Sequence, residues 1–263
     1  MLNILRSDLY RLIRGKCIYI TFLIYLVFTG VQIAFPGEVT IGFSPEIVPG
    51  VENLADKVTG ISAPFIAMTY TDNIIYFMLA ILFALTAADF TSGAVKNTLA
   101  GGISRTSYYF SKLLLALFLC TLMFIGGILV SVLISTAMHG WGGAIPKDYL
   151  LSVLRPFGAQ LLLLAAAVSV GTAVVFITKN GASSIALYLF FFLGLTMIAF
   201  LLGQISDDMK VLMNYDFIVN LKMLASVNVI PAGDTVRALS LGVACIAASI
   251  ILGMFSFRRS VIK

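Results

Sequence analysis

Charge is scarce in this chain: 11% of its 263 residues are Asp, Glu, Lys or Arg, against about 25% in a soluble domain. With 60% hydrophobic residues and a mean hydropathy of +1.04, that shortage excludes a water-soluble globular core. Cysteine occurs three times and without close spacing, which leaves neither a disulfide framework nor a zinc site. Cys17, Cys120 and Cys245 fall within or beside apolar runs, where a thiol packs as a small apolar group. Histidine occurs once, as His139 in Met138-His139-Gly140-Trp141-Gly142-Gly143, and it reads as an interfacial side chain beside a belt tryptophan. With no His-Glu-x-x-His, aspartyl pair or metal cluster, no catalytic or metal-ligating residue is assigned. A phosphate-cradling glycine loop is also missing, because the only Gly-Lys, Gly15-Lys16, is followed by Cys17 and lacks the earlier glycine. The chain therefore carries no ATPase motif of its own.

Six long apolar runs are present, each close to the roughly 20 residues that cross a bilayer as a helix. They span Cys17 to Phe35, Tyr70 to Ala88, Lys112 to Met138, Phe157 to Ile177, Ala182 to Leu202 and Val236 to Phe257, and their only ionised residues, Asp72, Lys112 and Arg237, lie at run edges. The expectation is an all-α polytopic protein with one membrane domain over 1–263 and no room for a soluble catalytic domain. The first run, preceded by charge and followed by no convincing cleavage site, reads as a retained helix. Absence of a mid-membrane acid counts against a carrier coupled to protons or sodium. Asp72 and Asp89, at span edges, read as solvated or capping groups. Gln32 and Gln160 are polar residues inside spans, candidates for a substrate path or for interhelical hydrogen bonds.

Basic residues divide unevenly between the two ends of these spans. Eleven of the 17 Lys and Arg residues, among them Arg6, Arg11, Arg14, Lys96, Arg105, Lys179, Arg258 and Arg259, share the side of the termini with only Asp8 and Asp89. Since cations near span ends stay in the cytoplasm, both termini are expected inside, in a multi-pass protein of the cell membrane. That asymmetry accounts for the basic pI without a nucleic-acid partner.

Two segments on the basic side are patterned. On a helical wheel Met1, Leu2, Leu5, Leu9, Leu12 and Ile13 share one face and Asn3, Arg6, Ser7, Arg11 and Arg14 the other, which predicts an interfacial helix over 1–16 lying on the inner leaflet. Residues 89–105 are too polar to span and read as a short helix, started by a Thr91 or Ser92 cap and ended at Gly101-Gly102, with Ser104 capping the next, long helix. Gly93 is expected to permit close backbone approach.

The Arg-Ser-Asp-Leu-Tyr-Arg-Leu N-terminus, the six spans and the inner segment Asp89-Phe90, Gly93, Lys96-Asn97 and Gly102-Ile103-Ser104-Arg105 followed by Lys112 resemble the permease subunits of type-2 ABC exporters of Gram-positive bacteria. The resemblance runs the length of the chain. It implies that residues 89–105 form a cytoplasmic coupling helix seated in a cleft of a separate ATPase, with Phe90, Gly93, Lys96, Asn97, Ile103 and Arg105 as contact residues. It further implies one cytosolic ATPase per permease, ATP and Mg held on that partner with no cofactor on this chain, and pairing with a second copy or a related permease. A short helical hairpin above the exit path, within Gln204 to Thr235, is part of the same implication. The implied cargo is amphiphilic or peptide-type, as in antibiotic resistance or bacteriocin immunity, with sodium, lipid or polysaccharide as alternatives. A secondary carrier and a non-transporting membrane scaffold are the rival classes.

Overall fold

The structure, a computed structural model, describes residues 2–35, 59–226 and 230–259. Among the described residues all regular structure is helical. A basic helix α1 (Leu2–Arg14) is followed after Gly15 by α2 (Lys16–Ala34), and a short α3 (Ala63–Thr69) leads into α4 (Asp72–Thr91), which contains one π-turn at Phe83–Ala87. A seven-residue α5 (Ala94–Ala100) precedes the long α6 (Arg105–His139) and α7 (Tyr149–Thr178). Then come α8 (Gly181–Ile205), a 3-10 segment Asp207–Tyr215, α9 (Phe217–Met223) and α10 (Ala232–Arg259).

Helices α2, α4, α6, α7, α8 and α10 are each long and apolar enough to cross a membrane. In hydrocarbon a chain must satisfy its backbone polar groups internally, which is why runs of this hydropathy settle as helices. Two spans reach well beyond their apolar runs. Helix α6 begins at Arg105 rather than Lys112, because the Ser104 hydroxyl accepts from the Ser107 N–H at 3.2 Å and starts the helix two turns early. Helix α7 begins at Tyr149 rather than Phe157 and carries Pro156 inside it, at the cost of one ladder hydrogen bond.

Helix α7 is the axis of the bundle: 72% of its apolar window is buried, against 17% for α8 and 22% for α10. It packs along α10 through small residues. At Gly253 a Cβ would come within 3.0 Å of the Ala173 Cα, so the two backbones meet at a distance only glycine allows.

At the end opposite the termini, several of the described pieces between spans pack into the bundle. Residues 60–61 pair with 140–141 through Gly60 N–H to Gly140 O at 3.0 Å and Ile61 N–H to Trp141 O at 3.2 Å, and the Ser131 hydroxyl of α6 donates to Ala63 O at 2.8 Å. Ile218 and Leu221 of α9 are buried in the main core. Most of the expected outer loop from Pro36 onward lies outside the described residues. Its last part, α3, packs against α6 and α7.

Candidate functional site

The terminal end of the bundle gathers α1, the elbow between α4 and α6, and the last turns of α7 and α10. The elbow turns twice on glycine. Helix α4 runs through Thr91, so neither Thr91 nor Ser92 caps α5; Ser92 ends α4 instead, and Gly93 at φ +72° starts α5. No atom lies within 4 Å of a Cβ built on Gly93. Left-handed backbone therefore requires glycine there, and close approach within this chain does not. Gly102 at φ +84° makes the second turn, while Gly101 stays at φ −73°.

Val95 anchors α5 inward, buried, whereas Lys96 and Asn97 are exposed, Asn97 at the cavity beside α1. The other residues expected to contact a partner, Phe90, Ile103 and Arg105, are half-buried and also make contacts within the elbow. Phe90 lies edge-on to Phe176 and Phe257, with ring centroids 5.4 and 6.2 Å away, in an aromatic cluster that Tyr108 and Tyr109 complete. Arg105 donates to the carbonyls of Phe257 and Arg258 at 2.7 and 2.8 Å, satisfying the C-terminal end of α10. Ile103 packs partly buried against the core.

Beside the elbow sits a cluster of four charges. Lys112, 1% exposed, places its Nζ 2.8 Å from the Asp8 carboxylate of α1 and 2.6 Å from that of Asp89 in α4. Tyr108 donates at 2.8 Å to the same Asp89 oxygen, Oδ2, that Lys112 contacts. Arg11 takes Oδ1 of Asp89, and its second nitrogen donates to Leu85 O at 3.2 Å, a carbonyl within the π-turn of α4. Burial works against the Arg11 charge, but the hydrogen bond to Asp89 and the nearby carboxylates outweigh it and raise the guanidinium pKa further. With two cations facing two anions the cluster is neutral, the condition under which charges tolerate burial. Asp89 is therefore a buried ion-pair member and not a solvated or capping residue.

Asp72 corrects the same expectation at the other end. Buried at the start of α4, its carboxylate lies 3.1 Å from the Lys222 ammonium of α9. Gln32 accepts from the Asn73 amide at 2.8 Å. Gln160 donates to Met68 O and Leu221 O at 2.8 and 2.9 Å and accepts from Thr71 at 3.1 Å, so both glutamines join helices through hydrogen bonds. His139 is exposed at the end of α6.

Helix α1 presents three faces where the wheel separates two. Ile4, Asp8 and Leu12 turn to the bundle, Leu9 and Ile13 are exposed apolar residues, and Arg6 and Arg14 are exposed cations. Thus Arg11 differs from Arg6 and Arg14 in facing a carboxylate. Sequence reasoning misses Asp8 and Lys112 as a unit, although each carries a signal: the one acid of a basic helix, and a cation at the edge of an apolar run. No protein-family model matches the chain, and no curated protein matches it.

Proposed function

We propose that this chain is the membrane permease subunit of an ATP-driven exporter whose ATPase is a separate polypeptide. The observation that carries the reading is the mounting of α5: a short helix between the second and third spans, exposed at Lys96 and Asn97 and braced behind by Val95, the Phe90 aromatic cluster and the Asp89 ion pairs. A push on such a helix reaches α4, α6, α7 and α10 together, as force transmission requires. The basic terminal end is the cytoplasmic one on this reading, with Arg6 and Arg14 toward anionic headgroups. Its lack of a phosphate loop leaves hydrolysis to the partner. An amphiphilic or peptide-type cargo suits a bundle whose spans are overwhelmingly apolar.

A cysteine at Asn97, in a variant lacking Cys17, Cys120 and Cys245, tests the contact. When the chain is co-expressed with a candidate ABC-type ATPase that supports its export, that cysteine is expected to crosslink to the ATPase, and Lys96→Glu to lower export per ATP hydrolysed. Export that depends on the ATPase, with no crosslink from 97 and no effect of Lys96→Glu, overturns the coupling role. Asp72 is buried but stands at the first residue of α4, paired with Lys222, and so is not the mid-membrane acid an ion-coupled carrier uses; export that survives loss of the ATPase and stops with a protonophore selects that rival.

A further inference from the structure

We infer that α1 is a reversible strap, fastened across the elbow by the ion cluster of buried Asp8, Asp89 and Lys112 with the exposed Arg11, and that its release is a conformational switch of the terminal face. Three observations carry this. The first is a joint: Gly15 alone separates α1 from α2, in an extended conformation (φ −78°, ψ 128°) between two helices. The second is hollow ground. A cavity of about 510 Å³ lies between α1 and the elbow, lined by Ser7, Asp8, Asn97, Thr98, Tyr108 and Lys112, and another of about 240 Å³ lies beside Gly15, Ala88 and Ser92. Arg11 and Asp89 border both. The third is the nature of the bond, since ions connect α1 to α4 and α6 while its apolar contribution to the core centres on Ile4, Leu5 and Leu12.

The combination matters physically. An apolar seam reopens at a cost that grows with its area, but ions flanked by open cavities can exchange partners for water as they part. Release would also withdraw Arg11 from Leu85 O and free the π-turn carbonyl, so the second span would register the position of α1. The switch does not depend on the identity of any partner, and it stands or falls separately from the exporter reading.

The test uses the full chain, lacking its native cysteines, in lipid nanodiscs. One reporter is Ile4→Cys, on the docked face of α1; the other is Met123→Cys, wholly buried in α6. Lys112→Met is expected to raise maleimide labelling at position 4 by more than about 10-fold, because labelling follows the open population, and to leave position 123 protected. Lys112→Arg keeps a cation between the Asp8 and Asp89 carboxylates and is expected to leave position 4 protected. Unchanged labelling at 4 in Lys112→Met means that apolar contacts hold α1 and overturns the strap. Equal gains at 4 and 123 mean that the cluster belongs to the core and overturn it too, and labelling at position 4 in Lys112→Arg as high as in Lys112→Met removes its ionic basis.

Discussion

Gln160 holds together one end of the bundle with a single side chain. Its amide serves Met68 O, Leu221 O and Thr71 at once, so α3, α9 and the start of α4 all hang from one position on α7. Replacing it with leucine keeps the volume and removes three hydrogen bonds, leaving Leu221 O without its Gln160 donor while Thr71 still bonds Met68 O at 2.8 Å. Gln160→Leu is therefore expected to destabilise the fold by about 1–3 kcal/mol, read from denaturant unfolding in detergent micelles, with the loss concentrated in hydrogen-exchange protection of α3 and α9. A polar residue in an apolar run announces itself in a sequence. Its partners do not, because Met68 O and Leu221 O are backbone atoms brought there by folding. For the same reason Asp72 and Asp89 read as edge residues: the cations that neutralise them come from Lys222, Lys112 and Arg11, far away along the chain.

At the scale of elements, the elbow separates two kinds of requirement that adjacent residues carry. Gly93 is needed for its backbone, so Gly93→Ala is expected to cost about 1 kcal/mol or more and to loosen α5 before any partner is considered. Lys96 is exposed and makes no ion pair or side-chain hydrogen bond among the described residues. Lys96→Glu is expected to change the unfolding midpoint by less than about 0.5 kcal/mol in equivalent stability, measured on the same micellar preparation. An effect of Lys96→Glu on export at unchanged stability then belongs to the contact it makes outside the chain. Helix ends show how much is legible in the sequence. The Ser104 cap before a long apolar run is a local signal, and it is readable; α5 and its closing glycine turn are readable as well. Thr91 and Ser92 carry the same capping chemistry but lie where α4 is still held by Phe90 and Asp89, and tertiary packing prevails over local preference. The faces of α1 are half legible, since a wheel separates apolar from polar positions without saying which set meets protein and which meets lipid.

For the whole molecule, the six spans follow from length and hydropathy alone, while their unequal burial does not. Helix α7 lies at the centre and α8 at the edge with equally apolar sequences. The orientation rests on the basic side being cytoplasmic. Single cysteines at Asn97 and at Lys147, both exposed and at opposite ends of the bundle, are expected to label with an impermeant maleimide on intact cells at 147 and not at 97. The reverse pattern would invert the whole assignment, and with it the placing of α5 toward a cytosolic partner.

The aromatic cluster behind the elbow also sets an order of assembly. Phe90 and Tyr108 come from the second and third spans and Phe176 from the end of the fourth, yet Phe257, which touches all three, belongs to the sixth. A ribosome adding about 5–20 residues per second needs roughly 4–16 s to go from Phe176 to Phe257. Through that interval the nascent chain holds its elbow with the ring stack incomplete and Arg105 without the α10 carbonyls it caps. The terminal face is thus finished only when the sixth helix enters the bilayer, and a chain stalled before it would present an unfinished apolar surface to the quality-control machinery of the membrane.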